Sequence, residues 1–157
     1  MSRNLSRLSG ALAIGAIMSL AFATAVAAAH PIYRSGTGSI AQTCGADLDN
    51  KIFHCDSVTG PNNDDIYFIA HTSTTRVLTY NNHIFNKILM MASKPSYATC
   101  SSAALGYNEY GAKKNVGHWF CVLTSEGRFA RLVIDSVVTA GPMTVTFTTW
   151  CKPSDAC

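Results

Sequence analysis

The chain has 157 residues, of which 48% are hydrophobic and 13% charged, with 12 Lys plus Arg against 9 Asp plus Glu. This length supports one domain around a single core, and the apolar content excludes an intrinsically disordered chain. Lys113-Lys114 is the only adjacent basic pair in the sequence, so the basic surface typical of a nucleic-acid-binding protein is also excluded.

Residues 1–29 have the pattern of an export signal. Arg3 and Arg7 form a basic start, residues 8–22 form an apolar stretch, and the alanines of residues 25–29 offer the A-x-A pattern that signal peptidase cleaves. We therefore expect residues 1–29 to be a signal peptide and the protein to be secreted, extracellular or periplasmic, without a membrane anchor. Because both arginines leave with the signal and no acid does, the remaining chain is close to neutral.

All six cysteines follow the export signal, so we expect them to be oxidised. Six thiols allow many pairings, and the sequence does not choose among them. Short intervening loops favour Cys44–Cys55 and Cys151–Cys157, which would leave Cys100 with Cys121. Zinc coordination is the alternative role for these cysteines, but we do not expect it because the chain has no C-x-x-C pair.

Residues 30–43 open the exported part and are rich in Gly and Ser, which predicts a flexible segment ahead of one β-rich domain at 44–157. Two runs rich in β-branched and aromatic residues, 65–70 and 75–80, predict a pair of strands. The apolar run 84–91 is too short for its periodicity to separate strand from helix.

Residues 96–105 predict the one short helix of the chain. Ser96 suits the N-cap, and alanines and serines fill the segment. Such a helix would place Cys100 opposite Cys121. Residues 106–116, rich in Gly, Asn and Tyr, predict a loop.

The last third of the chain predicts an antiparallel meander. Runs 117–124 and 128–138 flank Ser125-Glu126-Gly127, a turn in which glycine suits a positive φ. Residues 143–150 alternate apolar and threonine side chains, the period of two that a half-buried strand requires. The predicted fold class is therefore all-β: a small antiparallel sandwich or compact barrel with one short helix, stapled by disulfides.

Several of these strings resemble a pattern of uncharacterised small exported bacterial domains. Residues 121–130 resemble its C-V-x-T-x-E-G-R-[YF]-A hairpin, and residues 145–150 resemble the following strand that ends in T-T-W. Residues 45–49 resemble its F-D-L-D stretch, with Ala46 in the aromatic position, and residues 65–68 resemble its D-[IL]-[YW]-[YFW] strand. The resemblance implies the fold, a bacterial origin and export, and it carries over no activity or ligand residue.

Exposed aromatic residues are the candidate binding groups. Tyr107 and Tyr110 lie in a polar loop of the kind that often carries binding sites, and Trp119 lies on a predicted strand. We expect these side chains to contact an unknown extracellular carbohydrate or protein, although the tyrosines would serve equally well as cover for the core.

Arg128, which follows the predicted turn, has two possible uses. Its guanidinium can donate hydrogen bonds to carbonyl groups of the turn or pair with an acid such as Glu126 or Asp135. Alternatively, it can bind a ligand.

Catalytic motifs are missing from the sequence, so we expect a non-enzymatic domain. No G-x-S-x-G elbow occurs, and with Glu109 and Glu126 as the only glutamates, a glycosidase pair would need one of the scattered aspartates. Residues 47–50, Asp-Leu-Asp-Asn, resemble the start of a calcium loop but lack its sixth-position glycine and distal glutamate. We interpret them as a turn and expect no cofactor.

Copper is the alternative ligand. Cleavage after Ala29 would make His30 the first residue, and its amine and imidazole nitrogens suit Cu(II). The remaining histidines, none in a context that marks it as the partner, are His54, His71, His83 and His118.

Overall fold

The computed structural model describes residues 29–55, 63–70, 76–80 and 87–157. These residues form two antiparallel sheets of five strands each, one α-helix and a 3₁₀ helix. The prediction of an all-β fold with one short helix is confirmed. Residues 1–28, which hold nearly all of the predicted signal peptide, lie outside the described residues. No helix in the described part is long and apolar enough to span a membrane.

The sheets pair strands that are distant in sequence. The first sheet has the order β1-β10-β9-β8-β6 and the second the order β3-β2-β4-β5-β7. In chain order the elements are β1 (Ile32–Ile40), β2 (Cys44–Asp47), β3 (Ile52–His54), β4 (Ile66–Ala70), β5 (Arg76–Tyr80), β6 (Lys87–Met91), α1 (Tyr97–Ser102), β7 (Glu109–Gly111), the 3₁₀ helix (Ala112–Asn115), β8 (Trp119–Leu123), β9 (Phe129–Val137) and β10 (Met143–Trp150).

The predicted meander is confirmed as the centre of the first sheet, where β8 pairs with β9 and β9 with β10. Alternate residues of β10 are buried, as its sequence predicts, and Gly127 adopts a positive φ of 78° in the turn between β8 and β9. The ambiguous run 84–91 contributes strand β6, which pairs with β8 at the sheet edge.

Two predicted loops contain strands instead. Residues 30–43, predicted to be flexible, contain β1, which pairs with β10 along its length, so the sandwich begins at Ile32 rather than at Cys44. The sequence does not show the apolar alternation of a strand here, because two of the inward positions, Gly36 and Gly38, are glycines. A Cβ placed at Gly38 would overlap the ring of Phe53, so the missing side chain makes room for a residue of β3. Residues 106–116, predicted to be a loop, contain β7 and the 3₁₀ helix.

The two sheets face each other across one core. Its largest fully buried side chains come from both sheets and include Phe68, Leu78, Phe120, Leu132, Ile134 and Phe147. Burial of such side chains stabilises a domain by about 1.5–3 kcal/mol each, against the conformational entropy lost on folding.

A second, smaller core lies under helix α1. The helix begins after Ser96, whose hydroxyl accepts a hydrogen bond from the Thr99 N–H at 3.2 Å, and it ends at Ser102, earlier than predicted. Cys100 and Cys121 are bonded beneath it, next to Trp150. The favoured pairing is confirmed in full, with the bonds Cys44–Cys55, Cys100–Cys121 and Cys151–Cys157.

We predict that Gly38→Val destabilises the protein by about 1–3 kcal/mol, because the added side chain has to displace the Phe53 ring from a packed core. The measurement is the free energy of unfolding from urea titration. Ser39→Val is the matched control, since Ser39 is exposed and points to the other face of β1, where valine suits a strand. Equal losses in the two variants would contradict this role of the glycine.

Candidate functional site

Four carboxyl groups from three separate segments meet at one place in the fold. Asp47 ends β2, Asp49 lies in the turn that follows, Asp65 directly precedes β4, and Glu126 lies in the turn between β8 and β9. One carboxylate oxygen of each lies within 4.8 Å of those of the other three. The aspartates are buried and Glu126 is half-buried. We call these four residues the carboxylate cluster.

Asp47 shapes the turn that carries Asp49. Its Oδ1 accepts hydrogen bonds from the backbone N–H groups of Asp49 at 2.9 Å and Asn50 at 2.8 Å, while the Asn50 side chain donates to Oδ2 at 2.7 Å. Aspartate commonly organises turns in this way. The turn predicted for residues 47–50 is confirmed, and it directs Asp49 into the cluster.

Asp65 joins this turn to the hairpin between β8 and β9. Its Oδ2 accepts from the Leu48 N–H at 2.8 Å, and its Oδ1 accepts from the N–H of Ser125 at 2.7 Å and from its hydroxyl at 3.1 Å. Burial, followed by the charge of Asp49, raises the pKa of Asp65 well above its usual range, although the two backbone N–H groups favour the charged form.

Asp49 is the most isolated member of the cluster. It is 1% exposed, and neither of its carboxylate oxygens accepts a hydrogen bond from the residues that the structure describes. Burial and the neighbouring Glu126 raise the pKa of Asp49 to about 8. Burial by itself would raise the pKa of Glu126. Hydrogen bonds from Asp49 and from the Ser125 hydroxyl, which lies 2.7 Å from Glu126 Oε2, outweigh burial, so the pKa of Glu126 is lowered. The two groups titrate as a coupled pair, in which Asp49 keeps its proton to a higher pH than Glu126.

Arg128 is a cation beside the cluster, and other groups of the protein already engage it. Its Nε and Nη2 donate to the Asp155 carboxylate at 2.7 and 3.1 Å, and its guanidinium stacks over the Tyr33 ring at 3.8 Å. Its Nη1 lies 3.5 Å from Asp49 Oδ1. The sequence suggested Glu126 or Asp135 as acidic partners of Arg128, and the structure gives Asp155 and Asp49 instead.

Trp119 lies on the outer face of β8 between two cations. The Lys94 Nζ is 5.2 Å and the Arg131 Cζ 5.9 Å from the centre of its half-buried ring. Arg131 is held in place because its Nη1 donates to the Pro95 carbonyl at 2.9 Å and its guanidinium also lies 5.2 Å from the Trp150 ring. We call Trp119, Lys94 and Arg131 the Trp119 patch.

The two candidate tyrosines have different surroundings. Tyr107 is 58% exposed, and Lys87 Nζ lies 5.7 Å from its ring. Tyr110 is half-buried against Phe120, with ring centres 5.2 Å apart, and its hydroxyl accepts from the Met90 N–H at 3.1 Å. Tyr110 therefore helps to cover the core, and only Tyr107 presents most of its ring to solvent.

His30, the candidate copper ligand, packs against the domain. Its ring stacks on Tyr97 with centres 3.5 Å apart, and its Nε2 lies 2.6 Å from the Cys151 carbonyl oxygen. Of the other histidines, only His118 has a described side chain, and it is exposed. Within the described ranges, the carboxylate cluster is the one group of three or more potential metal ligands, and it contains no histidine.

No protein-family model matches this chain, and no curated protein or solved structure is significantly similar to it. The resemblance to small exported bacterial domains stays a prediction.

Sequence reasoning missed the cluster because its members are far apart in the chain. Residues 47–50 lack both the sixth-position glycine and the distal glutamate of a calcium loop, and the fold brings Glu126 beside them from another hairpin. The sequence does contain one indication of the cluster. The strings D-L-D, D-I-Y-F and E-G-R, which carry the resemblance to exported bacterial domains, contain all four of its carboxyl groups.

We predict that metal-free protein loses stability as the pH rises from about 4 to about 8. The folded-state pKa of Asp49 is raised from 3.8 to about 8, so its contribution is full below the lower value and disappears as the pH passes the higher one. Asp65 acts in the same direction. Asp49→Asn should flatten this dependence and raise the melting temperature near pH 8, measured in chelator.

Asp135→Asn is the control for this pH experiment, because Asp135 is an exposed aspartate on β9. Its pH profile should follow that of the wild type. A wild-type melting temperature that does not fall between pH 5 and pH 8 would contradict the assigned protonation of Asp49.

Proposed function

We propose that this protein is an exported, non-enzymatic binding domain that holds an anionic carbohydrate at the Trp119 patch. The observation that supports this most directly is the half-buried indole of Trp119 between the side chains of Lys94 and Arg131. Aromatic rings offer a flat apolar surface with a polar edge, and basic groups pair with acidic ones, so the patch suits a sugar that carries carboxylate or sulfate groups.

The arginine of the patch is positioned before any ligand arrives. Its bond to the Pro95 carbonyl and its place between two tryptophan rings restrict its rotamers, which lowers the entropy cost of binding. Arg131 Nε is buried without a hydrogen-bond partner among the described residues.

A second aromatic and cationic pair lies along the same edge strand. Lys87, at the start of β6, is close to Tyr107, and Met91, at the end of β6, pairs with Trp119. The two pairs are thus separated by the length of one short strand, about 13 Å. This spacing favours an extended chain ligand over a single small molecule, and a protein partner is the competing possibility.

Export is part of the proposal and rests on two observations. The first residues of the sequence have the features of a signal peptide. The three disulfides suit an oxidising compartment, extracellular or periplasmic.

We expect an acidic oligosaccharide to bind more tightly than a neutral one of equal length, and the affinity to fall as salt is added. Trp119→Ala and Lys94→Ala should each weaken binding about tenfold, which corresponds to about 1.4 kcal/mol. Isothermal titration calorimetry measures both effects. Lys113→Ala, at an exposed lysine of the 3₁₀ helix, is the control and should bind as the wild type does.

Two results would contradict the proposed ligand. Equal affinity for the acidic and neutral oligosaccharides would remove the role of the cations. Unchanged binding by both patch variants, with melting temperatures like that of the wild type, would place the ligand elsewhere.

Copper binding at His30 is a second candidate, and one contact favours it. A carbonyl oxygen only accepts hydrogen bonds, so the bond to Cys151 places the proton on Nε2 and leaves Nδ1 of the neutral ring open to a metal. An alanine inserted ahead of His30 should abolish tight copper uptake, because it moves the amine away from the ring. Native mass spectrometry of the secreted protein measures this, and undiminished uptake would contradict it.

A further inference from the structure

We propose that the carboxylate cluster is a calcium site, in which one Ca²⁺ ion is held by Asp47, Asp49, Asp65 and Glu126. The site is independent of the Trp119 patch, since Trp119 and the turn that carries Glu126 lie at opposite ends of β8.

The spacing of the oxygens fits one shared calcium ion. Calcium binds oxygen ligands at about 2.3–2.6 Å, so two ligands on opposite sides of the ion are about 5 Å apart. All four carboxylate oxygens lie within 4.8 Å of one another. A single ion can therefore contact one oxygen from each residue without a large movement of the backbone.

Asp49 supplies an independent reason to expect a ligand. A buried carboxylate normally has hydrogen-bond partners, because burial without them is costly. The other three members have such partners, in the turns that hold them. Both oxygens of Asp49 are buried and accept no hydrogen bond from the described residues, and the guanidinium of Arg128 contacts Oδ1 only at 3.5 Å. A cation at the centre of the cluster would satisfy them.

The local charge balance also leaves room for a divalent cation. Four carboxyl groups converge, and the nearest guanidinium, that of Arg128, makes its closest contacts to a fifth acid, Asp155. An ion bound here would meet all four carboxyl groups in their charged form, and its two charges would offset much of the charge that they then carry, as is usual for buried acids that coordinate metals.

The donor set selects the ion. Ligands that are all oxygen atoms suit hard cations such as calcium, magnesium and manganese, rather than copper or zinc. Magnesium usually keeps several of its waters, whereas calcium accepts cages built from protein oxygens. Because three of the four donors are buried, the cluster favours calcium.

The test compares the melting temperature of the exported form in chelator with that in saturating calcium, and titrates calcium by calorimetry near neutral pH. We expect one ion per chain and a rise of at least about 5 °C, because an ion bound only by the folded state stabilises it. Asp49→Asn and Glu126→Gln should fold, as judged by circular dichroism, and should lose most of the rise and of the binding heat.

The controls separate this site from general effects of a divalent ion. Asp135→Asn removes an exposed aspartate and should keep the full calcium response, and so should Trp119→Ala, which tests the proposed carbohydrate site alone. The proposal is overturned by a wild type that shows neither binding heat nor a higher melting temperature in millimolar calcium. An undiminished response in Asp49→Asn, or an equal response to magnesium, overturns it as well.

Discussion

The carboxylate of Asp65 connects the two sheets where their turns meet, and the arrangement of the site depends on it. One oxygen binds the Leu48 N–H, in the turn after β2, and the other binds Ser125, in the turn between β8 and β9. β2 belongs to one sheet and the β8–β9 hairpin to the other. The two oxygens together accept three hydrogen bonds from the two turns, so this side chain holds both turns at a fixed distance. Asp49 and Glu126 face each other as a result.

Burial of so many acids works against folding unless something offsets their charge. Protons, Arg128 and a bound cation are three ways to do so, and only the cation would contact all four carboxyl groups at once. The core between the sheets is apolar and contains none of the four acids. The cluster therefore adds no apolar packing, and the bound ion that we propose would explain why the acids converge.

Part of the candidate surface could be predicted from residue types, and the carboxylate cluster could not. Trp119 is a candidate on its residue type and its predicted strand, and the structure adds the cations Lys94 and Arg131 beside it. Tyr110 is a candidate because it lies in a polar segment predicted to be a loop, but the segment contains the edge strand β7 and Tyr110 packs on Phe120, since local sequence does not tell which side of an edge strand meets the core. Asp65 and Glu126 lie far apart in the chain, and no local pattern could report that they meet.

The sequence by itself determined the class of the fold, the meander and its turn and the short helix, because alternation, turn chemistry and capping are local properties. For the disulfides it favoured one pairing among many, and the structure decided the pairing. Tertiary structure alone decided that the Gly-rich segment at Ile32–Ile40 is a strand, since the reason lies in the Phe53 ring across the core. It also decided that Asp47, Asp49, Asp65 and Glu126 share one site. Both outcomes depend on contacts between residues distant in the chain, which only the pairing of the strands brings together.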